Sequence, residues 1–498
     1  MLFNSIDFLI FFPVVVLIYF IIPDRIKYIW LLAASYYFYM GWNAKYALLL
    51  LFSTAVTYLS GIAMDAVGRK TESSEKRIKY RKLVVALSFI LNLGILFVFK
   101  YLDFASDLLA FIISKAGLSV TIPRFDILLP VGISFYTFQA LSYTMDVYRG
   151  EIYAERNFLR YALYVSFFPQ LVAGPIERSK NLLKQLAVPT RFDHARALDG
   201  LYLMLWGYFL KIVLADRIAV VVSAVYDGYE IYPGWYLVVG TVLFAFQVYC
   251  DFAGYSTIAI GAAKILGIDL MENFNAPYTS MSIAELWRRW HISLTTWFRD
   301  YVYFPLGGSR KGRLRKDINI MIVFLVSGLW HGAGMHYVAW GGINGLYQVI
   351  GERLKPIREK TAVLLHVKTD VLSFRLYKVL VTFLLTLFSD IFFRANDMAA
   401  AGTIIKSIFT THNPWILFDG SLYKLGLGAS EFRFMLICIG VLIFADIMKR
   451  MGISIRKIIG EQGYVFRVLF FVFAVTFLLT FGVWGPGYDA NNFIYFQF

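Results

Sequence analysis

Three ionisable side chains stand inside long apolar stretches of this 498-residue sequence. His331 lies in SGLWHGAGMH, His336 follows it five positions later, and Asp251 lies in FQVYCDFAGYS. If such stretches cross a membrane, ionisable residues within them are costly and indicate function by default. Each also has a structural interpretation, since a buried histidine can donate to a backbone carbonyl, and an aspartate can accept from nearby hydroxyls or pair with an arginine. For Asp251 we favour the structural role.

A buried histidine could act as a general base. Burial lowers the pKa of an imidazole, which leaves it unprotonated and able to accept a proton at neutral pH. Such a base suits a hydroxyl group that attacks an activated acyl group, while a second polar side chain stabilises the developing oxyanion. We assign the first role to His331 and the second to His291, which lies in RRWHISL.

The sequence carries none of the common signatures of a metal site or a bound cofactor. His331 and His336 are five positions apart, whereas the helical zinc pair is four apart and has a glutamate between its histidines. The chain also has no glycine-rich phosphate loop, nucleophile elbow or C-x-x-C pair. We therefore expect no metal and no bound cofactor.

The uncharged stretch that carries His331 is too long for one membrane helix. Its 34 residues, 318–351, would measure about 51 Å as a helix, well beyond a bilayer core of about 30 Å. Six glycines lie between Ser327 and Leu346, and glycine both weakens helices and lets backbones approach closely. We predict two helices or one broken helix, since broken backbone is tolerated at membrane depth where it is buried or lines a cavity.

His291 lies in a different kind of segment. From Ser282 to Phe304, apolar and aromatic residues recur at steps of three and four, which places them along one face of a helix. The segment also has too many charges for a spanning helix, so we predict an interfacial helix at the level of the lipid headgroups. His291 lies near one edge of this face and could turn inward toward a cavity.

Composition favours an all-α polytopic membrane protein. Apolar residues make up 59% and charged residues 16% of the chain, with a mean hydropathy of +0.62, whereas soluble proteins carry nearer a quarter charged residues. Several uncharged runs reach the length of a spanning helix, and we expect about ten to twelve such helices besides interfacial or re-entrant ones. No repeat or linker divides residues 1–498, so we expect one domain, with extramembrane connections at 361–378 and 411–430.

The net charge of +15 is concentrated in short basic loops beside apolar runs, notably at 69–82 and 310–316. Such loops are typical of the cytoplasmic side of a membrane and would contact anionic lipids, which argues against nucleic-acid binding. Basic residues follow the first apolar run, 6–22, and do not precede it, so we predict an uncleaved first helix with its N-terminus outside. Helices at 28–42 and 45–64 would then place the basic loop at 66–82 inside.

Long motifs also follow one another along almost the whole chain. They are PVGISFYTFQALSYTMDVYRG at 130–150, FFPQLVAGPIERSKNLL at 167–183, FQVYCDFAGYSTIAIG at 246–261, ELWRRWHISLTTWFRDYVYFPLGGSR at 285–310, SGLWHGAG at 327–334, FRAN at 393–396 and the terminal NFIYFQF. In these motifs the sequence resembles the membrane-bound O-acyltransferase family. It is most similar to the branch that contains the membrane subunits of bacterial alginate O-acetyltransferases.

The resemblance implies a helical domain with a central tunnel in the bacterial cytoplasmic membrane. It implies that cytoplasmic acetyl-CoA supplies an acetyl group, which crosses the membrane for O-acetylation of a secreted or cell-surface polysaccharide. An extracytoplasmic partner protein, acetyltransferase-like or esterase-like, often completes the transfer. His331 of the WHG motif is implied as the base and His291 of the RRWHxS motif as the second active-site residue. The implied substrate-binding or supporting residues are Asp251, Trp330, Asn344 and Arg288.

One position departs from the family pattern. Many relatives carry a further histidine in a WG-x-x-HG motif after WHG, whereas this chain reads WGGINGL and places Asn344 there. Asparagine can donate or accept a hydrogen bond but cannot act as a base at neutral pH. If that position moves a proton in relatives, this protein carries out the step differently.

Other functions stay open from the sequence. Within the family, the alternatives are a D-alanyl transferase for teichoic acid, with a small carrier protein as donor, and an acyltransferase for a lipid or protein. The alternative from another class is a transporter or flippase whose broken helix lines a substrate path. Transporters often have paired halves with matching interruptions, and the sequence shows no such pair.

Overall fold

The computed structural model describes residues 1–70, 74–118, 123–125, 127–484 and 493. Helices and short helical turns are its regular secondary structure, and the described residues form no strand, which confirms the all-α prediction. The chain divides into two compact units: the first unit comprises 1–204 and 258–271, and the second unit comprises 205–257 and 272–498. The single domain expected for residues 1–498 stays a prediction. The NFIYFQF motif lies outside the described residues apart from Phe493.

The N-terminal part of the chain contains ten α-helices among its described residues. They are α1 (Ile6–Ile21), α2 (Lys27–Met40), α3 (Tyr46–Lys70), α4 (Ser74–Leu96), α5 (Leu102–Lys115), α6 (Ile133–Arg149), α7 (Phe158–Ser166), α8 (Phe168–Leu171), α9 (Ser179–Leu186) and α10 (His194–Tyr208). The first three confirm the helices predicted at 6–22, 28–42 and 45–64, while their orientation stays a prediction. Residues 71–73 of the basic loop lie outside the described residues.

Helix α3 is central to the first unit, where it packs against α4, α6 and α7. Hydroxyl groups join these helices, because Tyr161 donates to Thr57 over 2.7 Å and Ser53 donates to Asn92 over 2.5 Å. In an apolar surrounding, such bonds satisfy polar groups that would otherwise be costly to bury.

The rest of the chain continues in twelve α-helices among the described residues. They are α11 (Asp216–Asp227), α12 (Trp235–Ile265), α13 (Ile283–Arg289), α14 (Ile292–Phe298), α15 (Arg313–His331), α16 (Met335–Arg353), α17 (Lys355–Leu364), α18 (Leu372–Arg394), α19 (Met398–Thr410), α20 (Ala429–Arg450), α21 (Ile455–Gly460) and α22 (Tyr464–Phe481). A π-helical turn, Phe209–Ala215, precedes α11. The two connections predicted at 361–378 and 411–430 overlap the gaps between α17 and α18 and between α19 and α20.

Within the described part of the chain, five helical segments are long and apolar enough to cross a membrane. They are Tyr46–Val67, Glu75–Lys115, Trp235–Ile265, Leu372–Arg394 and Tyr464–Phe481. Two shorter apolar helices, Ile6–Ile21 and Met398–Thr410, accompany them. The protein is therefore polytopic, as predicted, although the five segments are fewer than the ten to twelve expected from the sequence. That larger number stays a prediction.

The uncharged stretch 318–351 forms two helices, as its length predicts. Helix α15 ends at His331, α16 begins at Met335, and the two pack closely against each other. Glycines permit this approach, because a Cβ atom at Gly328 would collide with the carbonyl oxygen of Tyr337 and one at Gly341 with the carbonyl oxygen of Phe324. Small residues of this kind let helix backbones meet in membranes.

The sequence predicted one continuous interfacial helix over Ser282–Phe304. This prediction is wrong, because the helix is interrupted. The segment forms two short helices, α13 and α14, with a break at His291. Its apolar face also packs inside the protein, since Ile283, Trp287 and Trp297 are buried. The same periodicity fits an interfacial helix and a buried one, and tertiary packing decides between them.

The close approach of α15 and α16 gives a direct stability prediction. Gly341→Ala should destabilise the protein by about 1–3 kcal/mol, because its methyl group meets a backbone carbonyl that cannot rotate away. Gly440→Ala in α20 is the matched control: no atom lies within 4 Å of its Cβ position, so it should stabilise the helix by about 0.5–1 kcal/mol. Thermal unfolding in detergent measures both, and equal midpoints for the two variants would contradict the packing account.

Candidate active site

A cavity in the second unit brings His331 together with polar side chains from two other helices. Its volume is about 40 Å³, enough for a few water molecules. Asn344 of α16 lines it, as do three residues of α18: Thr386, Ser389 and Asp390. The rest of the wall is aromatic or aliphatic and consists of Val248, Tyr278, Leu286, Trp287, Trp290, Trp340 and Phe393. An apolar wall with a few convergent polar groups is typical of a small-molecule site.

His331 is fixed at the C-terminal end of α15. The imidazole is 5% exposed, and it contacts the edges of Trp340 and Phe393 at ring-centre distances of 5.0 and 5.4 Å. Gly332 then takes an extended conformation, with φ −159° and ψ 154°, and ends the helix. A side chain at Gly332 would collide with the ring of Tyr337. The glycine therefore allows the chain to turn directly after the histidine.

His291 lies at the break between α13 and α14, where its backbone is left-handed, with φ 42° and ψ 54°. A non-glycine residue in this region is uncommon and needs support from its surroundings. Asn273 gives that support: its carbonyl oxygen accepts from the N–H of Ile292 over 2.9 Å and its side-chain oxygen from the N–H of Ser293 over 3.3 Å. The amide nitrogen of Asn273 donates to Ser256 over 3.1 Å. Hydrogen bonds to Asn273 thus hold the chain directly after the break.

The indole of Trp330 contacts both histidines. Its ring centre lies 4.9 Å from that of His331 and 6.0 Å from that of His291. His291 is fully buried and also packs on Phe252 at 4.6 Å. Burial lowers the pKa of His291, which lies outside the five apolar segments, and the neighbouring His331 lowers it further. His291 is therefore neutral at neutral pH and can both donate and accept a hydrogen bond.

Asp251 belongs to a buried cluster of charges that does not line the cavity. The ammonium group of Lys211 lies 2.6 Å from Asp251 and 2.8 Å from Asp216, and all three residues are buried. The structural role predicted for Asp251 fits this geometry, although its partner is a lysine and not the arginine considered. Removing one partner of such a buried ion pair is strongly destabilising, because the other charge is then left buried and unpaired.

The remaining implied residues separate into two groups. Asn344 lines the cavity, and its amide nitrogen donates to the carbonyl of Trp340 over 2.9 Å. Arg288 is exposed on α13 and does not line the cavity, so the structure does not bring it to the site. His336 packs on Tyr337 at a ring-centre distance of 4.1 Å and is also outside the cavity wall.

Sequence reasoning missed two ionisable residues. Asp390 stands in the apolar run LLTLFSDIFF and lines the cavity, and Lys211 stands in YFLKIVLA and pairs with two aspartates. The cost of charge at membrane depth, which indicated His331 and Asp251, applies equally to both of them. That signal could have found them.

The chemistry available at this site is proton transfer and hydrogen bonding by polar side chains. Burial favours the neutral form of an imidazole, and polar side chains from α16 and α18 face the same small volume as His331. Among the described residues, no group of three or more His, Cys, Asp or Glu side chains is placed to hold a metal ion.

Comparison with known proteins gives one family and several relatives. The model of the membrane-bound O-acyltransferase family matches residues 153–389. The chain is 36% identical to a probable alginate O-acetylase of Pseudomonas aeruginosa, over 82% of this chain and 75% of the relative. It is 31% identical to a peptidoglycan O-acetyltransferase of Helicobacter pylori over 87% and 83%, and 28% identical to a teichoic acid D-alanyltransferase of Bacillus subtilis over 44% and 57%.

The charge cluster around Lys211 gives a second stability prediction. Lys211→Met removes the cation that faces two buried carboxyls, and breaking a buried pair in this way costs about 3–5 kcal/mol. Lys264→Met is the control, since Lys264 pairs with Asp199 at a partly exposed position where the loss should be at most about 1 kcal/mol. Thermal unfolding midpoints in detergent report both, and equal losses would show that the buried cluster is not a stabilising element.

Proposed function

Because the chain belongs to the membrane-bound O-acyltransferase family and is a polytopic O-acyltransferase, we propose that it O-acetylates a secreted or cell-surface polysaccharide. Acetyl-CoA on the cytoplasmic side is the proposed donor. The observation that carries the proposal is the position of His331, the histidine of the WHG motif, on the wall of a cavity that also holds polar side chains. The imidazole thus borders a cavity with polar walls and is not enclosed by apolar groups alone.

His331 is the proposed general base. Its imidazole takes the proton of an acceptor hydroxyl while that oxygen attacks the thioester carbonyl carbon. The tetrahedral intermediate then collapses: the carbon–sulfur bond breaks, and the thiolate receives the proton from the imidazolium. The aromatic rings of Trp340 and Phe393 hold the imidazole in one orientation for both transfers, and a positioned base typically contributes about 10²–10⁴ in rate.

His291 is the proposed second active-site residue, and it polarises or orients groups of the reaction. Two observations support this role: its left-handed backbone is maintained by the hydrogen bonds of Asn273, and Trp330 contacts both imidazoles. Strained backbone that the surrounding structure holds in place often marks a functional site. Among the other implied residues, Asn344 is proposed to contact substrate because it lines the cavity.

The acetyl group and the polysaccharide acceptor are proposed from the relatives. Of the three relatives named above, the two that cover more than four fifths of this chain are named for O-acetylation of alginate and of peptidoglycan, whereas the D-alanyltransferase matches less than half of it. D-Alanyl transfer from a carrier protein is the second candidate within the family. Family membership favours acyl transfer over the transporter hypothesis.

The cellular arrangement is part of the same proposal. The protein is proposed to lie in a bacterial cytoplasmic membrane, with its N-terminus outside and its basic loops facing the cytoplasm and anionic lipids. An extracytoplasmic partner, acetyltransferase-like or esterase-like, would receive the acetyl group or present the polysaccharide.

Acetyl-CoA consumption by the purified protein in liposomes tests the role of His331. His331→Ala should lower thioester cleavage by about 10²-fold or more, because the base is lost. His412→Ala is the matched control, since His412 is exposed between α19 and α20, and its activity should equal that of the wild type. Acetyl-CoA cleavage that survives His331→Ala would overturn the assignment, and substrate uptake without cleavage would favour a transporter.

A further inference from the structure

Asp390 faces the same cavity as His331. It lies on α18, is 8% exposed, and is part of the cavity wall beside Ser389 and Asn344. Phe393, one turn further along α18, packs its ring against His331 at 5.4 Å. One face of α18 thus contributes both a ring that holds the imidazole and a carboxyl group next to the reaction volume.

The carboxyl group of Asp390 is only partly satisfied by the protein. The indole N–H of Trp340 donates to it, but its Oδ2 atom is buried and has no hydrogen-bond partner among the described residues. The neighbouring hydroxyls do not supply one, because Ser389 donates to the carbonyl of Thr386 over 2.9 Å and Thr386 donates to the carbonyl of Thr382 over 2.9 Å. A buried carboxylate oxygen without a donor is costly, so the ionised form of Asp390 suits a molecule that brings a donor.

The missing donor cannot come from the reacting end of an acetyl thioester. An acetyl group has a methyl group and a carbonyl oxygen, and the thioester sulfur carries no hydrogen, so none of these can donate to Asp390. The acceptor, in contrast, enters the cavity as a hydroxyl compound. If it carries a second hydroxyl on an adjacent carbon, as sugars do, that group can donate to Asp390 while the first is at His331.

We propose that Asp390 is a specificity-determining residue that accepts a hydrogen bond from a second hydroxyl group of the acyl acceptor. The proposal rests on the proposed function of His331. It assigns the site a preference for vicinal diols over simple alcohols. A site built to hydrogen-bond a hydroxyl discriminates strongly against an analogue that lacks it, because its own polar group is then left unpaired.

Two small alcohols test this preference without knowledge of the natural acceptor. 1,2-Propanediol and 1-propanol have the same carbon skeleton and differ by one hydroxyl group. With acetyl-CoA and the full-length protein in liposomes, mass spectrometry of the acetyl esters gives kcat/KM for each. The wild type should prefer the diol by about tenfold, the value of one hydrogen bond to a buried acceptor.

Substitution then assigns the preference to the carboxyl group. Asp390→Leu should bring the ratio of the two kcat/KM values close to about 1. Asp390→Asn keeps the shape of the side chain and an oxygen for Trp340, but places an amide nitrogen toward the cavity, so the ratio should fall as well. Thr382→Val, two turns earlier on α18 and outside the cavity wall, is the matched control and should keep the wild-type ratio.

The outcomes separate this proposal from the proposed function. A wild type that acetylates both alcohols without preference would overturn the role of Asp390 alone. Equal loss of activity on both alcohols in the variants would also overturn the role of Asp390, because a purely structural role gives that result. So would an Asp390→Asn variant that keeps the full ratio, since this substitution is isosteric and the protein should fold. A wild type that cleaves no acetyl-CoA with either alcohol would overturn the proposed function, and this proposal with it.

Discussion

The structure of the second unit depends on one constraint: backbone groups freed by a helix break must be satisfied where water is scarce. Both candidate histidines lie at such breaks: His331 ends α15 directly before the break to α16, and His291 lies between α13 and α14. An unsatisfied backbone group in an apolar surrounding costs several kcal/mol, so a break persists only if the protein supplies the missing partners. The hydrogen-bond partners of the backbone groups at each break therefore help to determine the position of the histidine beside it.

The two breaks are repaired in different ways. At His331 the repair is local: the N–H of Gly332 still reaches the carbonyl of Gly328, and α16 restarts with the N–H groups of Tyr337 and Val338 bonded to the carbonyl of Gly334. At His291 it is distant in sequence, because Asn273 accepts from the N–H groups that follow the histidine. The hydrogen bonds at His331 stay within the α15–α16 hairpin, whereas those at His291 tie the histidine to a second segment of the chain.

This difference explains how much the sequence could predict. The break near His331 could be predicted because the uncharged run that contains it is too long for one helix. The glycines in that run indicated where the break lies. The break at His291 left no such signal, because the helical periodicity of Ser282–Phe304 continues through it and the repairing residue, Asn273, stands 18 positions away. The partner of Asp251 was unforeseen for the same reason, since Lys211 comes from a separate stretch of chain. Helical periodicity in the sequence indicates local structure, whereas contacts with residues distant in sequence determine where a helix is interrupted.

The buried aspartates show why burial alone does not identify a functional residue. Asp251 and Asp390 both stand in apolar runs and both are buried, so the rule on charge at membrane depth treats them alike. Their surroundings differ: Asp251 faces the ammonium group of Lys211 at 2.6 Å, whereas Asp390 keeps one oxygen without a hydrogen-bond partner among the described residues at a cavity wall. The fold accounts for the paired charge of Asp251, whereas the open oxygen of Asp390 faces a cavity and is available to a group that enters it.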